Sequence, residues 1–195
     1  MPATEPLLKH ATTHYFIDAK ASTFVAQVFA TGLLASFGHN PRIAIQAFQG
    51  ELSFSLTGSI IENARLRIGI PADALEVADD ISEKDRSEIH RKMTQEALET
   101  DRFPEIVYQC SRLSASGGGD RYWVALNGEL TLHGVTRALP VSARAVINGN
   151  SVRASGTFSI RQSEYEIPAV TAAAGAIRLK DEVKCTFDVI ARKQE

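Results

Sequence analysis

The sequence predicts an all-β fold, an antiparallel β-barrel of about eight strands with one amphipathic helix at about residues 82–100. Three observations support this fold class. Apolar and polar residues alternate in at least six segments, turn-forming residues separate several of these segments, and one run of helix formers interrupts them. Alternation places apolar side chains on one face of a strand, and strands joined by short turns share one face to bury. Closing the sheet into a barrel buries that face.

The alternating segments follow one another along most of the chain, and the apolar set of each is expected to point into the barrel. In chain order these sets are Phe24, Ala26 and Val28; Ala64, Leu66, Ile68 and Ile70; Leu126, Gly128, Leu130 and Leu132; Leu139, Val141, Ala143, Ala145 and Ile147; Val152, Ala154, Gly156, Phe158 and Ile160; and Val183, Cys185, Phe187 and Val189. Small residues interleave with phenylalanines in these sets. Such a composition is compatible with a hollow interior and also with a tapering packed core.

Between Ile43 and Leu56 the alternation changes phase, because Ile43 and Ile45 fall in one register while Phe54 and Leu56 fall in the other. A β-bulge inserts one residue and bends the strand, so the pattern predicts a bulge near Gly50 within one strand. Bent strands are what a barrel requires.

Turn residues separate the strands at three places, and each is predicted to be a hairpin connection. They are Thr57-Gly58-Ser59, Gly117-Gly118-Gly119-Asp120 and Asn148-Gly149-Asn150. Residues 167–177 have the weakest pattern and are predicted to form a long loop before the last strand.

The predicted helix has an N-cap candidate in Ser82 and a limit at Pro104, because the residue before a proline leaves helical space. Ile89, Met93 and Ala97 recur at helical spacing and share one face. We expect this amphipathic helix to cover an end or a side of the barrel.

The chain has 195 residues, enough for one domain, and its 21 basic and 23 acidic residues give a net charge of −2. These charges are interspersed along the chain. There is therefore no cluster of basic residues that would bind nucleic acid and no polybasic tract that would bind an anionic membrane. No run approaches the ~18 apolar residues of a spanning helix. We therefore expect no nucleic-acid partner and no membrane span.

A single barrel domain is predicted for residues 14–193, with residues 1–13 as a disordered or extended N-terminal segment. Met1 to Thr13 contain Glu5 and no long apolar run, so they do not look like a secretory signal. A cytoplasmic location is the expectation, and a periplasmic one if a signal has been removed. The sequence leaves a homodimer open.

Catalytic and metal-binding motifs are missing from the sequence. There is no nucleophile elbow and no paired-histidine motif, so we expect no catalytic residue, no metal and no cofactor. Cys110 and Cys185 are predicted to be buried reduced thiols. His133 is predicted to point outward at a strand end, and His90 lies on the helix.

Five stretches in order along the chain carry a resemblance to a known family. They are Phe16-Ile17-Asp18 with Ser22 and Phe24; Phe48-Gln49-Gly50; Phe103-Pro104-Glu105-Ile106 with Ser111; Asn127-Gly128-Glu129-Leu130-Thr131-Leu132-His133-Gly134-Val135-Thr136-Arg137; and Ile160-Arg161-Gln162-Ser163-Glu164-Tyr165. In these stretches the chain resembles the YceI-like family. The resemblance implies a lipocalin-like antiparallel barrel whose long apolar tunnel binds a polyisoprenoid chain.

The inward sets and this resemblance together give a predicted ligand-contacting lumen. Its residues are Phe24, Ala26, Val28, Phe37, Ile45, Phe54, Leu66, Ile68, Met93, Leu98, Tyr108, Leu130, Leu132, Ala154, Phe158 and Phe187. His39, Arg42 and Arg161 are the candidates for contacting a polar head group at the mouth. His39 is also compatible with a turn residue making local bonds, and Met93 and Leu98 with simple helix packing.

Three functions are compatible with this pattern. The first is binding, storage or transport of a long-chain polyisoprenoid or similar amphiphilic lipid without catalysis. The second is a barrel enzyme acting on such a lipid, which would need perturbed ionisable groups facing the lumen. The third is a packed barrel that acts through its surface with a protein partner. The inward sets hold almost no ionisable groups, which favours the first.

Overall fold

A computed structural model describes residues 11–31, 40–172 and 177–194, and strands make up most of them. The strands are β1 (Thr13–Ile17), β2 (Thr23–Gln27), β3 (Ala30–Thr31), β4 (Arg42–Ile45), β5 (Gln49–Thr57), β6 (Ile60–Pro71), β7 (Leu75–Val77), β8 (Glu105–Cys110), β9 (Leu113–Gly118), β10 (Arg121–Leu132), β11 (Val135–Ile147), β12 (Ser151–Arg161), β13 (Thr171–Ala172), β14 (Ile177–Leu179) and β15 (Glu182–Lys193). The α-helix α1 (Glu83–Arg91) continues as a π-helical segment (Lys92–Ala97), and short 3₁₀ turns cover Ala19–Ala21, Ala72–Ala74 and Gln162–Tyr165.

Eight strands close into an antiparallel barrel in the order β1-β5-β6-β8-β10-β11-β12-β15, and β15 pairs back with β1. The predicted all-β barrel with one helix is therefore confirmed. Closure leaves these strands no free sheet edge and encloses the faces that carry the apolar sets.

Several walls of the barrel are built from two short strands placed end to end. Along β15, β1 pairs with one half and β2 with the other, and the 3₁₀ turn Ala19–Ala21 separates them. In the same way β4 and β7 extend the β5–β6 pair, and β9 extends β8 along β10. The long strands β15 and β10 run beside both members of such a pair, so each pair of short strands completes one wall.

The predicted bulge near Gly50 is wrong. The chain leaves the sheet at residues 46–48, between β4 and β5, and this break of three residues produces the phase change. The register irregularity of the β5–β6 pair lies later, between Ser53 and Ser55. Asn63, opposite this step, has a positive φ of 53°. Asparagine tolerates that conformation better than most residues.

All three predicted hairpin turns are confirmed, since they connect β5 to β6, β9 to β10 and β11 to β12. Gly119 and Gly149 have φ values of 65° and 77°, a region in which glycine lacks the steric penalty of other residues.

The predicted loop over residues 167–177 is wrong in part. Thr171–Ala172 forms β13, which pairs with β14, and β14 pairs with β3 in a second sheet of three strands. Strands of two or three residues are too short to show alternation, so the sequence pattern missed them.

The helix begins where predicted, because the Ser82 Oγ accepts a hydrogen bond from the Asp85 N–H at 3.1 Å. Its helical turns end at Ala97, three residues before the predicted end at about residue 100, and Glu99 then adopts a positive φ of 45°. The Arg86 guanidinium fixes the helix to the barrel by donating to the carbonyls of Val77 and Asp79. Within the described part of the chain, no helix is long and apolar enough to cross a membrane.

Candidate ligand-binding cavity

The barrel interior is hollow. A cavity of about 980 Å³ runs through it, and its walls are mainly the apolar side chains of the inward strand faces. Pockets for small molecules usually span ~300–1,000 Å³ and are mostly apolar with a few polar groups, so this one lies at the large end of that range.

Every predicted lumen residue in the described ranges lines this cavity, and Phe37 lies outside them. The sequence analysis missed other lining residues. They include Ile17, Leu52, Ile61, Leu113, Val124, Val170 and Leu179. Val124 continues the inward phase of Leu126, so that alternation could have been extended to find it. Leu179 lies in β14 of the small second sheet and Val170 directly precedes β13, and neither carries such a signal.

The end of the barrel next to the β11–β12 turn contains a stacked aromatic pair, and the Tyr15 hydroxyl there donates to the Gly149 carbonyl at 3.1 Å. The rings of Tyr15 and Phe54 are stacked with centroids 5.3 Å apart, and both residues are buried. Ile147, Val152 and Ala191 pack in the same buried cluster. We call this buried cluster the floor.

Three phenylalanines form an aromatic section of the wall. Phe24, Phe158 and Phe187 lie with ring centroids 6.1–6.3 Å apart in edge or tilted contacts. Gly156 makes room for this group, because a Cβ there would lie 2.8 Å from the Phe187 ring and 2.5 Å from the Ser142 carbonyl oxygen.

The polar part of the lining forms a rim near the helix. It consists of Asp85, Glu88 and Lys92 from the helix, with Gln162 and Thr171 across from them. These residues are exposed or half-buried, so the cavity meets solvent at this rim. The Arg91 guanidinium holds the pKa of the Glu88 carboxyl below its ordinary value.

Neither of the two head-group candidates that the structure describes lines the cavity. His39 is outside the described residues. Arg42 does not line the cavity and instead donates from Nε to the Asp79 carboxylate at 2.8 Å. Arg161 is exposed and is also absent from the lining. The rim residues were missed because their meeting depends on how the helix docks, which no local pattern encodes.

Two weakly polar groups lie in the apolar wall. The Tyr108 hydroxyl donates to the Leu139 carbonyl at 3.2 Å, and burial raises the pKa of this phenol. Burial also raises the pKa of the Cys185 thiol, to about 12. Cys110 and Cys185 are both buried free thiols, as predicted.

Cys185 is expected to resist alkylation by iodoacetamide at pH 8 in the folded barrel. Only the thiolate reacts, and burial shifts this pKa from 9.0 to about 12. The fold favours the neutral thiol, so the contribution of this group to stability is complete below pH 9.0 and is lost as the pH rises towards about 12. Mass spectrometry of the Cys110→Ser variant measures the reaction at Cys185 alone.

The matched control is the same variant unfolded in urea, where alkylation should be at least ~100-fold faster. A folded rate within tenfold of the unfolded rate would show that the lumen thiol is accessible and contradict the expectation.

His133 does not point outward, and that prediction is wrong. Its ring is buried against Phe103 at a centroid distance of 4.4 Å. Nδ1 donates to the Tyr165 carbonyl at 3.1 Å, and Nε2 lies 3.1 Å from the Glu99 carboxylate. The positive φ of 51° at His133 takes it out of the strand alternation. No group of three or more metal-ligating side chains occurs among the residues that the structure describes.

Comparisons with known proteins agree with this architecture. The sequence matches the family model described as the YceI-like domain over residues 15–191. BcnA from Burkholderia cenocepacia is 17% identical, with a TM-score of 0.66 over 89% of this chain and 98% of that one. A polyisoprenoid binding domain from Saccharophagus degradans, implicated in plant cell wall breakdown, is 13% identical, with a TM-score of 0.65 over 94% and 100%. A Campylobacter jejuni YCEI protein is 12% identical, with a TM-score of 0.61 over 81% and 88%. No curated protein sequence matches.

Proposed function

This chain belongs to the YceI-like domain family, and on that premise we propose that it binds a long-chain polyisoprenoid or a similar amphiphilic lipid inside the barrel, without transforming it. The observation that carries the proposal is the apolar cavity of about 980 Å³, with its polar lining residues gathered at a rim near the helix. A tail would lie in the cavity and a head group would lie at the rim.

The binding energy would come from removing apolar ligand surface from water. This contributes roughly 25 cal/mol per Å², or about 0.8 kcal/mol for each buried methylene, which is about fourfold in affinity. The wall offers few hydrogen-bonding groups, so the length and width of the tail would determine selectivity. The floor formed by Tyr15 and Phe54 would limit the length.

The structural neighbours support the ligand class. The Saccharophagus degradans domain is named as polyisoprenoid binding and shares the fold across nearly the whole of both chains. At 13% identity, that similarity concerns the fold, so the same ligand class for this chain is part of the proposal.

The wall groups favour binding over catalysis. Burial raises the pKa values of Tyr108 and Cys185, which keeps both protonated and makes them poor bases and nucleophiles at neutral pH. At the rim, Glu88 has a lowered pKa and is a poor proton donor. The interior is hollow, which disfavours the alternative of a packed barrel that acts only through its surface.

The proposal is tested by mass spectrometry of organic extracts from the purified protein. A prenyl lipid at close to one molecule per chain is the expected result, and prenyl lipids added to delipidated protein should raise its Tm. Ligand that binds only the native state stabilises it by mass action. An empty extract together with no thermal shift would reject the proposal.

A further inference from the structure

We infer that the rim selects lipids with an uncharged head group and disfavours anionic ones such as prenyl phosphates. This inference rests on the proposed function, because it assumes a tail in the cavity and a head at the rim. Two features support the inference. They are the charged residues that line the rim and the ion pairs and hydrogen bonds that these residues already form within the protein.

The rim is more acidic than basic. Asp85 and Glu88 contribute two carboxylates to the lining, and Lys92 is the only cation that the described lining residues contain.

The Lys92 ammonium group already interacts with other groups of the protein. Its Nζ donates to the Thr171 carbonyl at 3.2 Å and lies 3.7 Å from the Glu88 carboxylate and 3.5 Å from the Glu96 carboxylate. An ammonium group has three donors. A phosphate could recruit Lys92 only by breaking these contacts, and it would then face the carboxylates left behind.

Two arginines of the helix are occupied in the same way, and the exposed Lys84 does not line the cavity. Arg86 donates to the carbonyls of Val77 and Asp79. Arg91 forms ion pairs with Glu88 at 3.1 Å and with Glu96 at 2.9 Å. The helix N-terminus offers no better anion site, since Ser82 caps it and Glu83 and Asp85 lie in its first turn.

Arg178 is the strongest alternative anchor for an anionic head. It lies on β14 opposite Thr171, where it is exposed and outside the cavity lining. An exposed arginine beside a rim could still reach a phosphate through solvent. The experiment therefore includes a variant that removes its charge.

Two ligands that share one tail and differ only in the head group isolate the effect of the head group on affinity. Geranylgeraniol and geranylgeranyl monophosphate are compared on delipidated protein by competition against tritiated geranylgeraniol. The alcohol is expected to bind at least tenfold more tightly at low salt. The difference should shrink at 1 M salt, because partly exposed charges are screened over ~3 Å at that ionic strength.

The variant Asp85→Asn/Glu88→Gln tests the cause of the preference. It should raise the affinity for the phosphate about tenfold and leave the affinity for the alcohol within twofold. Glu83→Gln is the matched control, because it removes one charge from the same helix at a side chain that does not line the cavity. It should leave both affinities unchanged.

The outcomes separate this inference from the proposed function. If neither ligand binds, the proposed function fails and this inference fails with it. If the phosphate binds as tightly as the alcohol or more tightly, the function stands and the inference is overturned. Weaker phosphate binding in Arg178→Gln, with the alcohol unaffected, would also overturn it, because the rim would then contain an anion anchor.

Discussion

Replacing Ala154 with tryptophan is expected to abolish lipid binding while the barrel remains folded. Ala154 lies on β12 between Ala145 and Val189 of the neighbouring strands, and its side chain lines the cavity. An indole there would occupy space that a tail needs, so binding should fall at least ~100-fold, as expected when the apolar contacts of several methylenes are lost. Prenyl-lipid titration measures the binding, and thermal unfolding measures the stability.

Thr157→Trp is the matched control on the same strand. Thr157 is exposed on the outer face, opposite Thr186, so a tryptophan there should leave binding unchanged. In a filled core the Ala154→Trp substitution would cost ~1–3 kcal/mol or more through overpacking. A large loss of stability in that variant, or full binding by it, would contradict a hollow interior that holds the ligand.

The barrel and most of its lining were predictable because alternation is a strong local signal. In β12, for example, Ala154, Phe158 and Ile160 were assigned inward from their spacing, and all three line the cavity. The turn-forming residues predicted the positions of the three hairpins. Whether the lumen was hollow could not be read from the sequence, since the same small residues also suit a tapering packed core.

The rim and the second sheet could not be predicted for a different physical reason. Lys92 and Thr171 are 79 residues apart and meet only because the helix docks next to β13. His133 was assigned outward from strand alternation, but the turn at its own position reverses the side chain. Contacts of this kind depend on tertiary packing, which can override any local pattern.

Replacing Tyr165 with alanine should give the largest loss of stability of any single change considered. Tyr165 is only 1% exposed and packs in a buried cluster with Leu130, Leu132 and Ile167. Removing a buried aromatic ring costs about 3–5 kcal/mol. For a chain of this length that lowers Tm by roughly 6–20 °C, since each kcal/mol corresponds to ~2–4 °C. Thermal unfolding of the two proteins side by side measures the shift.

The loss should extend to ligand binding, because Tyr165 anchors the end of the turn that brings Gln162 to the rim. Tyr165→Phe is the matched control: it keeps the ring and removes only a hydroxyl, so it should cost no more than about 1 kcal/mol. Since the Tyr165 carbonyl, not its side chain, holds the His133 ring, the alanine variant leaves that hydrogen-bond acceptor in the chain. A Tm loss of only a few degrees in Tyr165→Ala would therefore show that the cluster beside the rim contributes little to holding the turn against the barrel.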